Sequence, residues 1–255
     1  MLYSMLSKNK IKLINSLSLK KNRDEEKLFV AEGVKIVSEL IDSNFELVSI
    51  FAHEDFFNAN NIDNVIEKIT VNESELKSIS NLKTPNQVLA IVKLPAQELK
   101  MNDITNQFSI AFEDIQDPGN LGTIIRTADW FGIKNIICSN NSVNVYNPKV
   151  VQATMGAISR VNVFYTELDT FLKQSLEFGL KIYGTLLNGE SIYNHNLTDK
   201  GIVLFGNESK GISSELQKYI SNKISIPSAL FNKTESLNVS MAMGIVCSEF
   251  FRKNL

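Results

Sequence analysis

Between residues 108 and 251 short apolar runs alternate with amphipathic stretches, and this alternation limits the possible fold more than any other feature of the chain. The run 108–113 (FSIAFE) reads as a strand, 121–131 as a helix, 134–138 and 161–164 as strands, and 168–178 as a helix. Strands at 180–187 and 202–206, a helix at 212–220, a strand at 223–226 and a final helix near 237–251 complete the series. Strand–helix alternation of this kind predicts an α/β domain with a mainly parallel sheet covered on both faces. Upstream, 33–42 (GVKIVSELID) has helical apolar spacing, while 47–52 and 88–94 suit buried strands. The expected organisation is an N-terminal arm at 1–27, a small α/β domain at 28–95, a polar, proline-bounded linker at 96–107 and a main domain at 108–255.

Charge separates these regions although the whole chain carries only −2. Residues 1–23 hold six basic side chains (Lys8, Lys10, Lys12, Lys20, Lys21, Arg23) and no acidic one, whereas 28–100 carry six basic against 11 acidic. The arm is the clearest footprint for a polyanion, and it equally describes the solvated face of a helix whose other side carries Ile11, Leu13, Ile14, Leu17 and Leu19. With two cysteines, Cys138 and Cys247, each inside an apolar run, there is no disulfide framework. His53 and His195 stand far apart, which argues against a histidine-built metal site. No run reaches 18 apolar residues and the N-terminus lacks an apolar signal core, so no membrane association and a cytoplasmic location are expected.

Three loops hold the polar residues of interest. The first, Asp117-Pro118-Gly119-Asn120-Leu121-Gly122, follows a strand and opens a helix carrying Arg126. Gly119 and Gly122 allow close backbone approach, the helix start offers free amides, Asn120 both donates and accepts, and the Arg126 fork suits a phosphate. A glycine turn, a helix cap and a surface arginine would read the same way. The second loop, Gly206-Asn207-Glu208-Ser209-Lys210-Gly211, has phosphate-loop spacing, but Ile212 stands where the lysine after the second glycine should be. What is left is a bare backbone loop with one carboxylate, suited to an adenine edge or a ribose, or to a turn capped by Ser209 or Ser213. The third runs from Ile226-Pro227 to Ser236-Leu237-Asn238-Val239-Ser240, where three polar side chains exceed the need of one helix cap. Ala242 and Gly244 in the helix that follows would let another backbone come close.

In their order and spacing, DPGNLGTIIRTADWFG, FGNESKGIS and IPSALFNKTESLNVSMAMG resemble the three motifs of the SpoU (TrmH-like) branch of the SPOUT methyltransferases. VVQATMGAISRVNVF is similar to the segment between the first two, and LFVAEGVKIVSEL with LKTPNQVLAIV resembles the substrate-binding head often fused to that family. The resemblance implies a SPOUT domain with a deep trefoil knot, which periodicity could not suggest, preceded by a small α/β substrate-binding domain. It implies S-adenosylmethionine as cofactor, lined by backbone near Gly206, Ile226 and Leu237 with Leu186 alongside, and no metal. It implies methyl transfer to a ribose 2′-hydroxyl of RNA, with rRNA and a guanosine preferred to tRNA, and a homodimer packed through the knot. A non-catalytic RNA-binding or ribosome-assembly factor with the same fold is the alternative of a different class.

By the same carry-over Arg126 matches the catalytic arginine, either as a base reshaped by the substrate phosphate or as a cation that positions phosphate and lowers the hydroxyl's pKa. Asn120, Glu208, Ser236 and Asn238 match the remaining polar motif positions, orienting arginine, ribose and cofactor. The near-neutral charge requires a local basic patch from the arm, Arg126 and Arg160, and Phe51, Phe56 and Phe57 are candidates to stack on unpaired bases.

Overall fold

The computed structural model describes residues 6–198, 200–229 and 236–252. Contacts divide the chain into two compact units, Met1–Ala96 with Asn144–Ser159, and Gln97–Val143 with Arg160–Leu255.

The first unit begins with α1 (Lys8–Ser16), capped by the Ser7 hydroxyl, which accepts from Lys10 N at 3.3 Å. Its apolar face is core, since Ile14 and Leu17 are fully buried with Leu6 against Val30, Phe51, Leu76 and Leu89. Helix α2 (Lys20–Glu26) carries Arg23, which is only 2% exposed. Its guanidinium donates to the carbonyls of Leu17 (3.0 Å) and Ser18 (2.9 Å) and to Asn144 Oδ1 (3.3 Å). One of the six basic groups of the arm is therefore consumed in satisfying carbonyls at a helix end, and Lys10 is paired with Glu67. The elements β1 (Leu28–Glu32), α3 (Val34–Ile41), β2 (Leu47–Ala52), α4 (Glu54–Ala59), β3 (Glu67–Thr70), α5 (Glu73–Ile79) and β4 (Val88–Lys93) follow. Their sheet has the order β1-β4-β2-β3, with β4 antiparallel to both neighbours and β2 parallel to β3. The short α5 holds because Asn72 and Glu75 form a reciprocal capping box. Phe51 and Phe56 are buried and Phe57 is half-buried, so packing removes the first two from base stacking.

In the second unit β5 (Phe108–Phe112), α6 (Pro118–Trp130) and β6 (Asn135–Ser139) come first. Helix α7 (Pro148–Thr154) lies in the stretch that packs with the first unit. Then come β7 (Asn162–Thr166), α8 (Leu168–Glu177), β8 (Ile182–Ser191), β9 (Gly201–Phe205), α9 (Ser214–Gln217), β10 (Asn222–Ser225) and α10 (Val239–Phe251). All six strands are parallel, in the order β10-β8-β9-β5-β6-β7. Central β5 and β9 are buried along their whole length, as strands covered on both faces must be. The chain runs from β5 outward through β6 to β7 and then returns to the far side of β9, so the strand order reverses between β5 and β9. In open α/β sheets that reversal marks the crevice where ligands bind at the strands' carboxyl ends.

Several boundaries differ from the sequence pattern. Helix α6 starts three residues before the predicted 121, because Asp117 caps it and Pro118 fits the first turn. Helix α9 is a single turn, Ser214–Gln217, in place of 212–220, because Gly211 takes a φ of +68° and Ser213 is its cap. The polar stretch before β5 is tied to the second unit: Ile104 is fully buried, and Asn135 Nδ2 donates to Asp103 O (3.3 Å) and Gln107 Oε1 (3.2 Å). Ring contacts of Phe108 with Phe250 (4.8 Å) and Phe251 (5.2 Å) pin α10 beside β5. No described helix is long and apolar enough to cross a membrane.

Candidate functional site at the carboxyl ends of the central strands

The loop after β5 is ordered by its own cap: Asn120 N donates to Asp117 Oδ1 at 2.8 Å, which fixes the Asn120 side chain at the first turn of α6. Two further loops reach it. Asn120 Nδ2 donates to Glu208 Oε1 (3.2 Å) in the loop after β9, and Asn238 Nδ2 donates to Asn120 Oδ1 (2.9 Å) from the start of α10. The direction of this relay follows from its origin. Asn238 caps α10, its Oδ1 accepting from Ser240 N (2.9 Å), Ser240 Oγ (2.6 Å) and Met241 N (3.4 Å). Backbone N–H groups only donate, so the Asn238 amino group must face Asn120 and the Asn120 amino group must face Glu208. The relay ends on a carboxylate exposed to solvent.

The loop after β9 owes its shape to Gly206. A Cβ there would stand 2.1 Å from Gly211 C and 2.2 Å from Ile212 N, so any side chain would collide with main chain. That approach lets Asn207 and Gly211 exchange two backbone hydrogen bonds, at 3.1 and 2.9 Å. Sequence reasoning did not single out Asn207, Glu113 and Asp114, which hold the loop in place. Asn207 Nδ2 donates to Asp114 O (2.9 Å), its Oδ1 accepts from Ser209 N (3.0 Å) and Lys210 N (3.1 Å), and Glu113 Oε2 accepts from Ser213 N (2.8 Å). Asp114 takes a left-handed φ of 55° and is braced by Ser139 Oγ, which donates to its Oδ1 (2.7 Å). An Asn just past a strand end, followed by Ser and Lys, was the available signal for such a turn.

Strand β8 supplies a third wall. Gly184 pairs with Lys223 and Glu190 with the next residue, Ile224, so Thr185–Gly189 leave the ladder as a five-residue excursion. Leu186 in this excursion is half-buried against the second unit's core, Leu187 is 84% exposed, and Gly189 lies so near Ile224 that a Cβ would be 2.5 Å from its carbonyl carbon. Ile226, just beyond β10, is half-buried, while Ser236 and Leu237 are exposed before the Asn238 cap.

The structure therefore joins Asn120, Glu208 and Asn238 by hydrogen bonds and places Gly206 at the same strand ends. It does not bring Arg126 into that network. Because α6 begins at Pro118, Arg126 lies two turns into the helix, roughly 12 Å of rise from its start. Its side chain is exposed, and no hydrogen bond or ion pair among the described residues involves it. Arg160, in contrast, forms a fork with Asp129, through Nε at 3.0 Å and Nη2 at 2.9 Å. Neither cysteine offers a nucleophile: burial pushes both thiols up to about 12.

The family model described as the SpoU rRNA Methylase family matches residues 107–248, and the MRM3-like substrate binding domain matches residues 8–90. The 23S rRNA (guanosine(2553)-2′-O)-methyltransferase RlmP of Bacillus subtilis is 26% identical, over 93% of this chain and 94% of its own length. A solved TrmH-family protein from Porphyromonas gingivalis is 35% identical with a TM-score of 0.91, covering 98% of this chain and 100% of that one. The AdoMet-bound rRNA methyltransferase of Sinorhizobium meliloti is 29% identical with a TM-score of 0.87, covering 99% of this chain and 97% of that one.

Proposed function

The chain belongs to the SpoU rRNA methylase family, and we propose that it methylates a guanosine ribose of ribosomal RNA, with Arg126, Asn120, Glu208, Ser236 and Asn238 as the working side chains. It is an RNA ribose 2′-O-methyltransferase and uses S-adenosylmethionine. The observation that carries the assignment of Asn120, Glu208 and Asn238 is the relay Asn238–Asn120–Glu208, which ties three loops distant in sequence to one point at the strand ends, while Arg126 and Ser236 rest on the motif resemblance.

The residues present fit the cofactor. Gly206 leaves no room for a side chain, so the loop after β9 presents bare main chain, and Leu186, Ile226 and Leu237 bring apolar surface from three other segments. Bound there, S-adenosylmethionine supplies the methyl group as a sulfonium. A sulfonium loses its charge during transfer, so neutral backbone favours reaction where a close carboxylate would stabilise the ground state. Asn120 turns its amino group, and Asn238 the start of α10, toward fixed partners, holding the loops in register without adding charge. Ser236 stands at the entrance to the same helix cap. Arg126 acts as the cation that grips the substrate phosphate and lowers the pKa of the attacking hydroxyl. Its exposed position on α6, with no side-chain partner among the described residues, favours the fork's taking that phosphate.

The head at 28–95 binds the RNA, with the arm at 1–27 packed on it through Leu6, α1 and α2, and 96–107 leading to the methyltransferase domain at 108–255. β10 lies at one edge of the sheet and α10 packs beside β5, a placement of the two segments that supports a trefoil knot. Met241, 63% exposed, and Gly244, with open space around it, favour a homodimer packed on α10. The site of action is cytoplasmic.

Radiolabelled S-adenosylmethionine with purified protein, offered rRNA and tRNA from a strain lacking the gene, tests the reading. Label entering rRNA as an alkali-resistant guanosine-containing dinucleotide is the expected result. Label in tRNA alone would overturn the substrate, and bound cofactor without transfer to RNA or ribosomal particles would overturn the activity.

A further inference from the structure

The head contains a carboxylate that no part of the methyl-transfer chemistry uses. Glu32, at the end of β1, is 5% exposed. It accepts from the Ser80 hydroxyl and from Asn81 N at 3.2 Å. Both donors lie at the start of the loop between α5 and β4, so one side chain anchors that end of it. The loop is braced further by Leu82 N donating to Ser80 Oγ (3.0 Å) and by His53 N donating to Gln87 O (3.2 Å). Burying a carboxylate costs free energy unless its acceptors are filled, so a chain that needed only a turn here would be more stable with an apolar residue.

The anchor orders main chain and leaves the loop's own side chains unused. Asn81, Lys83, Thr84, Asn86 and Gln87 are exposed, and none of their side chains makes a hydrogen bond among the described residues. Leu82 and Pro85 are half-buried, so the outward surface is polar. A second segment extends it. Gly33, with a φ of +106°, brings the main chain in so that a Cβ there would lie 3.3 Å from Asn86 Nδ2 and 3.9 Å from Gln152 Nε2 on α7. Exposed Lys149 sits one turn before Gln152 on that helix.

We propose that this surface, Lys83, Asn86 and Gln87 with Gln152 and Lys149, is where the head reads its RNA, and that Glu32 is the positioning residue that holds the reading loop. The inference rests on the methyltransferase reading above and extends it to substrate recognition. Amides carry a donor and an acceptor side by side and match base edges of unpaired nucleotides. Two lysines supply phosphate attraction within an otherwise acidic head. Fixing the loop before binding lowers the entropy lost on binding, which is what the buried carboxylate contributes.

The test uses full-length protein and 23S rRNA from a strain lacking the gene, measuring rRNA affinity, KM for rRNA and S-adenosylmethionine affinity. The double variant Lys83→Ala/Asn86→Ala changes only exposed side chains and should weaken rRNA binding about tenfold, with the loss in KM and cofactor affinity unmoved. Glu32→Ala should reproduce that loss, and Glu32→Gln should recover part of it. Combined with the double variant, Glu32→Ala should add less than threefold, because both act on one loop. Unchanged rRNA affinity in the folded double variant overturns the RNA surface. Additive losses overturn the role of Glu32. Because wild-type transfer is measured alongside, failure of the surface with transfer intact is distinct from failure of the methyltransferase reading.

Discussion

Replacing Gly206 with alanine is the most direct challenge to the account of the cofactor loop. The new Cβ would lie 2.1 Å from Gly211 C, 2.2 Å from Ile212 N and 2.5 Å from Gly211 O, all main-chain atoms that no rotamer change can move. Relief requires a shift of more than 1 Å in the 211–212 backbone. Overpacking of this kind costs about 1–3 kcal/mol. The same shift opens the two backbone bonds between Asn207 and Gly211, worth about 0.5–1.5 kcal/mol each. The total is about 4 kcal/mol, which lowers the thermal midpoint of a domain this size by roughly 8–16 °C. Scanning calorimetry reads that shift, and isothermal titration with S-adenosylmethionine should show binding weakened at least about 100-fold. Gly119→Ala is the milder comparison, since its Cβ meets only the Asp117 carboxylate, at 3.0 Å, and its cost is limited to loosening the α6 cap, about 0.5–2 kcal/mol. A midpoint within about 2 °C of wild type together with unaltered cofactor affinity in Gly206→Ala would refute the reasoning.

Four further outcomes follow from the same geometry. Arg126→Ala should abolish turnover while cofactor affinity stays within about threefold by titration, and retained turnover removes Arg126 from the mechanism. Asn120→Ala strands the Asn238 amino group and frees Glu208, so stability should fall by about 1 kcal/mol in urea and turnover about 100-fold; a variant with full turnover means the relay is only structural. Burial raises the Glu32 carboxyl above its ordinary 4.5, against the opposing pull of its hydrogen bonds from Ser80 and Asn81. The folded protein therefore holds that proton more tightly, and the associated stability is complete below pH 4.5 and lost as pH rises through the folded value. Urea midpoints across this window should slope less in Glu32→Gln than in wild type, and equal slopes contradict the assignment. Because Cys138 and Cys247 are buried with thiols raised to about 12, a thiol reagent at pH 8 should label neither until the protein is denatured; prompt labelling in the native state contradicts their placement.

Residues 108–251 show how far local pattern reaches. The apolar runs predicted β5, β6, β7, β9 and β10 to within two residues at each end; in β5 and β9 burial on both faces leaves its mark on consecutive positions. The ends of α6 and α9 were misjudged where a cap outweighed hydrophobic spacing, Asp117 with Pro118 in one and Gly211 with Ser213 in the other. The arm was legible as a helix face, but not the burial of Arg23, since its acceptors include Asn144, 121 residues away.

Sequence by itself determined which groups could meet: the glycines, the Asn caps, the lone Glu208 and the arginine are local choices of residue type, readable wherever they occur. Tertiary structure decided which of them do meet. Asn120 and Glu208 are 88 residues apart and Asn120 and Asn238 are 118 apart. They converge only because β9 lies against β5 and α10 returns to the same strand ends, and the excursion Thr185–Gly189 exists only because β10 pairs with β8 on both sides of it. Hydrophobic period is set by neighbours a few residues away and survives in the sequence. Strand order and side-chain convergence are set by contacts between segments with no local imprint on one another, so they appear only once the chain is folded.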